Sequence, residues 1–201
     1  MPADHSKYTL VLPKSGGYKR LKSYQLAQLV YDITVRFVVR YIRPESRTRD
    51  QMEQAARSGA QNLAEGSVFS ATSKKIEMNL TNVAKASLTE LKGDYEDFLR
   101  HRKLALWPSE DPRRADLVRQ RCTTADEVAA WVKRSCAQAE NRTNATYAEW
   151  SANAAHVLCG VAITLIDRQL ISQANAFEKE GGFNERLYRV RSAARAKGGG
   201  Q

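Results

Sequence analysis

Arginines stand at positions 36, 40, 43 and 47, at offsets of four, three and four. That spacing places Arg36, Arg40, Arg43 and Arg47 along one face of a helix, the last just past Pro44. Arg49 and Arg57 follow, and Lys74, Lys75 and Lys85 add positive charge further along. Guanidinium forks match phosphate oxygens and also stack on bases, so an arginine ridge suits contact with an RNA or DNA backbone. The competing interpretation is a solvated face paired with Glu45, Asp50 and Glu53, but six Arg against these three acids in residues 36–57 leave a surplus of three. A second basic cluster comes near the C-terminus. Arg186, Arg189, Arg191, Arg195 and Lys197 face a lone Glu185, with Phe183 and Tyr188 among them to stack on bases. Alternatively Phe183, Leu187 and Tyr188 dock this tail, leaving Arg191 to Lys197 for phosphates.

Other chemistries have weaker support. Gln54, Arg57, Ser58, Asn62 and Glu65 face Thr81, Asn82, Ser87, Glu90 and Asp94 across two expected helices. A catalytic interpretation would make Glu90 or Asp94 a base. A structural one has Arg57 bridging to a carboxylate while Asn62 and Glu65 hold a turn at Gly66. The structural alternative is favoured, because buried polar groups need partners and such pairs fix helix register. The histidines are His5, His101 and His156, and there is no Glu-x-x-His pair of the kind used by di-iron bundles. His156 and Cys159 lie three apart, but two ligands do not make a zinc site, and the pair reads as core. Phosphate-loop, dinucleotide, Cys-x-x-Cys and Gly-x-Ser-x-Gly motifs are lacking. The expectation is a non-enzyme without metal or cofactor.

Composition agrees with a binding protein. The chain has 201 residues, 42% hydrophobic and 27% charged, which is enough for one domain with its own core. Thirty-two Lys+Arg against 22 Asp+Glu give a net charge of +10, which favours polyanions. Cys122, Cys136 and Cys159 are odd in number and widely spaced, against a disulfide framework. The nearly uncharged stretch Ala152–Ile166 falls short of the ~20 residues of a membrane span, and the N-terminus lacks a signal peptide's apolar core. A cytoplasmic protein without a membrane role is expected.

These residues must be carried by helices. Residues 1–22 read as an extended arm, with Tyr8, Leu10 and Leu12 alternating as in a strand. A first helix is expected over about Ser23–Arg43, ended by Pro44. Leu26, Leu29, Ile33 and Phe37 form one apolar stripe on it, and Tyr24, Tyr31, Val35, Val38 and Ile42 another; two stripes point to burial against a second subunit. The second helix, about Arg49–Glu65, is lined by Ala55, Ala56, Gly59 and Ala60 and is expected to stop at Gly66. The third begins near Thr72 or Ser73 and runs to Arg100, with Ile76, Leu80, Val83, Leu88, Leu91, Tyr95 and Phe98 at helical spacing. Residues 104–142 read as a peripheral insertion: a connector in which Asp111 caps and Pro112 starts a short basic helix, then a weakly apolar helix opened by a Thr124…Glu127 capping box. The last long helix, about Thr143–Lys179, ends at Gly181-Gly182, and the tail from Ser192 is expected to be disordered. The fold class is all-α, an antiparallel up-and-down four-helix bundle over 23–180 with a basic tail at 181–201.

The run QAARSGAQNLAEGS at Gln54–Ser67, followed by SATSKKIEMNLTNVAKASLTEL, resembles the signature of four-helix-bundle proteins encoded in intervening sequences of bacterial large-subunit ribosomal RNA genes. The accessory proteins of diversity-generating retroelements share that fold. EKEGGFNERLYRVR at Glu178–Arg191 resembles the tail of a longer, four-helix-bundle suffix branch. The resemblance covers Tyr18–Arg100 and Tyr147–Arg191; Leu104–Asn144 has no counterpart. It implies a homo-oligomer, in some members a ring, that gathers RNA or DNA and partners a reverse transcriptase. A purely structural oligomerisation module with no nucleic-acid role is the alternative.

Overall fold

The computed structural model describes residues 17–140 and 146–198, and among these every regular element is helical. After a single 3-10 turn at Tyr18–Arg20 come α1 (Lys22–Tyr41), α2 (Arg47–Phe69), α3 (Lys74–His101), α4 (Pro112–Gln120), α5 (Ala125–Glu140), α6 (Tyr147–Glu180) and α7 (Phe183–Gly198). The strand expected at Tyr8, Leu10 and Leu12 lies outside the described residues.

The long helices pack on one another along their apolar stripes. α1 contacts α2 and α6, α2 contacts α3, and α3 contacts α6. Directions follow from cross-helix contacts. Ser58 on α2 meets Ser87 on α3 at 3.0 Å, and Gly66, nearer the C-terminus of α2, meets Glu77, nearer the N-terminus of α3. Gln173 reaches Glu77 and His156 reaches Glu96, so α6 also runs against α3. Phe37 and Tyr95 stack edge-on across the core at 5.0 Å, with Thr34 hydrogen-bonded to the Tyr95 hydroxyl at 2.9 Å. Met52, Leu63, Leu88, Leu91 and Ile166 are fully buried in the same core.

Several expected boundaries move. α2 does not stop at Gly66 but continues for three residues to Phe69. A Cβ at Gly66 would sit 3.2 Å from the Glu77 carbonyl oxygen, so this glycine lets two backbones approach rather than ending a helix. Gly59 plays the same part more tightly, since a Cβ there would fall 2.6 Å from Leu88 Cδ2. α1 ends at Tyr41, because Ile42 is already extended (φ −108°, ψ 136°) ahead of Pro44. Beyond α6, which stops at Gly181, the chain turns helical again to Gly198, in place of a disordered tail from Ser192.

The 104–142 segment is more than a weakly apolar appendage. Asp111 accepts from the Arg113 N–H at 2.9 Å and Pro112 opens α4, while Thr124 accepts from the Glu127 N–H at 3.2 Å. The Glu127 carboxylate closes the cap one residue early, on the Thr123 N–H. Val128, Trp131, Val132 and Cys136 recur at three- and four-residue spacing and are all buried, with α5 packed on α6. Trp107, Trp131 and Trp150 are only 1%, 2% and 3% exposed and pack as a triad with centroids 4.9–6.3 Å apart. Asn153, fully buried on α6, ties the connector down by accepting from the Trp107 N–H and donating to the Ala105 carbonyl, both at 2.8 Å.

Over Tyr147–Lys179, α6 is long and apolar enough to cross a membrane, further than Ala152–Ile166 alone suggested; the core helix of a soluble protein passes the same test. Its buried Asn153, His156 and Gln173 find partners on the connector and on α3.

Candidate nucleic-acid interface

Helix directions sort the candidate cations into two ends. α1 and α3 finish, and α2 and α6 begin, at one end; the start of α3 and the close of α6 mark the other. With 28 residues, α3 separates them by about 40 Å. Arg36, Arg40, Arg43, Arg47 and Arg49 belong to the first end, Lys74 and Lys75 to the second, and Lys85 lies between. They do not form one surface.

Nor do the arginines share one helical face. Only Arg36 and Arg40 lie on α1; Arg43 falls in the α1–α2 turn and Arg47 is the first residue of α2. Arg36 is paired with Asp126 of α5, which holds that carboxyl below its usual range, although both side chains stay largely exposed (55% and 83%). Arg49 meets Glu53 at 3.6 Å, Lys74 meets Glu77 at 3.1 Å and Lys85 is paired with Asp167. Arg43, Arg47 and Lys75 are exposed, and no ion pair reaches them among the described residues. Arg40 is likewise exposed, its guanidinium 5.8 Å from the Tyr41 ring. On α7, Arg189 lies near the Glu185 carbonyl at 3.5 Å and Arg191 is exposed; the Arg186 side chain lies outside the described residues. Tyr188 is 74% exposed, so it does not dock the tail.

Two further cations, Arg102 and Lys103, lie at the first end and were not among the sequence candidates. Arg102 donates to the Tyr41 carbonyl and stacks over Phe98 at 4.1 Å, joining the end of α3 to the end of α1. His101 and Lys103 flank it, both exposed. Lys103 adopts the left-handed conformation (φ 57°) that closes α3, with the Leu104 N–H returning to Leu99 at 2.9 Å. The run Arg100-His101-Arg102-Lys103 was the available signal; what the sequence lacks is that α3 ends beside Tyr41, the last residue of α1. Cations here also face the negative ends of the α1 and α3 dipoles.

Beside this end a groove of about 560 Å3 opens between α1, α5 and the start of α6. Ile33, Phe37, Val128 and Val132 form its wall, Tyr41 and Tyr147 edge it, and Arg36, Arg40 and Lys133 supply charge at its rim. The groove is not legible in the sequence, because Lys133 and Tyr147 reach it only through the packing of α5 and α6.

The polar set between α2 and α3 is smaller than expected. Asn62 donates to the carbonyl and hydroxyl of Ser58 at 2.9 and 3.0 Å, and Ser58 passes the link to Ser87. Arg57 and Glu65 are exposed instead, and among the described residues no ion pair reaches Arg57; the turn that Asn62 and Glu65 were to hold does not exist, since α2 runs through Gly66. Glu90 is exposed at a shallow crevice shared with Asp50 and Ser58. Asp94 is half-buried, with one carboxylate oxygen lacking a hydrogen-bond partner among the described residues. Burial, with help from the charges of Glu90 and Asp97, raises its pKa to about 6.

His156 bonds Glu96 at 2.8 Å, and burial lowers its pKa; the Cys159 thiol is fully buried, which pushes its pKa up. Cys122, Cys136 and Cys159 form no disulfide among the described residues. Among the described residues no three His, Cys, Asp or Glu side chains converge on a common point. Comparison with protein-family models, curated proteins and solved structures returned no match.

Proposed function

We propose that this chain is a non-enzymatic nucleic-acid-binding accessory protein whose α1, α2, α3 and α6 make an antiparallel up-and-down four-helix bundle. The contact surface is the end formed by Arg40, Arg43, Arg47, Arg102 and Lys103. The observation that supports it most is the concentration of exposed cations there: Arg43 and Arg47 meet no carboxylate among the described residues, and Arg40 faces only a ring. With a net charge of +10, such a corner attracts phosphates at long range before any contact forms. The resemblance to ribosomal-intervening-sequence and retroelement accessory proteins fits this role, and extends it to a cytoplasmic homo-oligomer, ring-shaped in some relatives, that offers nucleic acid to a reverse transcriptase. A mobility-shift assay at low salt tests it. The parent protein should retard RNA or DNA, and joint Arg40→Gln, Arg43→Gln and Arg47→Gln substitution should abolish the shift with helicity unchanged. No retardation by the parent protein would refute it.

A purely structural role as an oligomerisation module draws on a different observation, the exposure of Val39, Ile76, Val83 and Ile171 on three long helices. Light scattering with size exclusion distinguishes this role when taken with the shift assay: a defined oligomer without any nucleic-acid shift would favour it.

A further inference from the structure

We propose that the groove between α1, α5 and the start of α6 is a seat for one unstacked nucleotide, so that the protein prefers single-stranded nucleic acid to duplex. This rests on the nucleic-acid reading above and specifies its ligand.

The groove joins two features that phosphate binding alone does not need. Its wall is apolar, with Phe37 buried in it and Tyr41 and Tyr147 at its edges. Its rim carries Arg36, Arg40 and Lys133 and its lining holds no carboxylate; Asp126, outside the lining, is held by Arg36, and Asp32 stands a turn away on α1. At about 560 Å3 it falls inside the range of roughly 300–1,000 Å3 typical of small-ligand clefts. A nucleotide satisfies both halves: the base covers apolar and aromatic surface while the phosphate meets Arg40 and Lys133. In a duplex the same base is stacked and paired, and cannot enter without being extruded. Arg40 both rims the groove and precedes the Arg43–Arg47 turn, so a strand seated there continues onto the basic end.

Anisotropy titrations of the full chain with labelled oligothymidylate and with a duplex of equal length test the proposal. Tyr147 and Ala129 line the groove and both are exposed, so changes there spare the core. Ala130 is its exposed neighbour outside the lining. The parent protein should bind the single strand more tightly. Tyr147→Ala and Ala129→Glu should each weaken single-strand binding about tenfold, the scale of one lost base stack, and shrink the preference over duplex. Ala130→Glu, with equal charge, should leave the preference intact. If single strand and duplex bind equally, or if Tyr147→Ala and Ala129→Glu leave the preference unchanged, the seat is disproved while backbone binding stands. If neither nucleic acid binds, the underlying function falls as well.

Discussion

Lys103 holds a left-handed conformation that glycine adopts without cost and that strains a residue with a Cβ by about 1–2 kcal/mol. Strain retained at one residue of a basic end suggests that the side chain is wanted there. Lys103→Gly should therefore raise stability to urea by about 1 kcal/mol while weakening nucleic-acid binding; an unchanged affinity would make Lys103 a mere helix terminus. Asp94 presents a second residue-scale test. Its pKa is about 6 in the folded protein against an ordinary 3.8, so between those values the native state binds more protons than the unfolded chain. Its contribution to stability is thus complete below about pH 4 and is lost as pH rises through 6. Asp94→Asn should leave stability near pH 4 unchanged and increase it at pH 7, read as the shift in urea midpoint at each pH. Comparison with the parent cancels the opposite contribution of His156, whose lowered pKa costs stability as pH falls.

At the scale of elements, apolar spacing and capping residues made the long helices readable, along with the starts at Ser73, Asp111 and Thr124 and the stop at Gly181, but not the end of α2 or the tail helix. Gly66 carries the usual sign of a helix stop, yet its neighbour across the interface is the Glu77 backbone, and close approach accounts for the glycine instead. Which function a glycine serves depends on what packs against it, and that partner sits 11 residues away on another helix. The 104–142 segment was misjudged for a similar reason. Val128, Trp131 and Val132 are few for a helix of 16 residues, but Trp131 packs on Trp107 and Trp150, so the apolar surface it buries is shared. Trp131→Ala should cost about 3–5 kcal/mol in urea denaturation, as for other buried aromatics. A cost below about 1 kcal/mol would mean that α5 is attached loosely and that the triad does not secure it.

For the whole molecule, net charge and the arginine run pointed to a polyanion partner, but not to where that partner would sit. Arg36, Arg49, Lys74 and Lys85 each find a carboxylate, two of them three or four residues along the same helix and two on another helix, and drop out as free phosphate ligands. Arg102 and Lys103 take their place because α1 and α3 end side by side, a consequence of packing and not of spacing. The helix that carries the tail cations starts beyond the close of α6, at the opposite end of α3 from this corner. The central claim is that exposed guanidinium and ammonium groups at the α1–α2 end neutralise phosphates, and the dependence of duplex affinity on salt measures this most directly. Log affinity should fall linearly with log salt, and joint Arg43→Gln and Arg47→Gln substitution should make the slope shallower by about 0.9 for each phosphate contact removed. Affinity independent of salt, or a slope that the double substitution leaves unchanged, would contradict it.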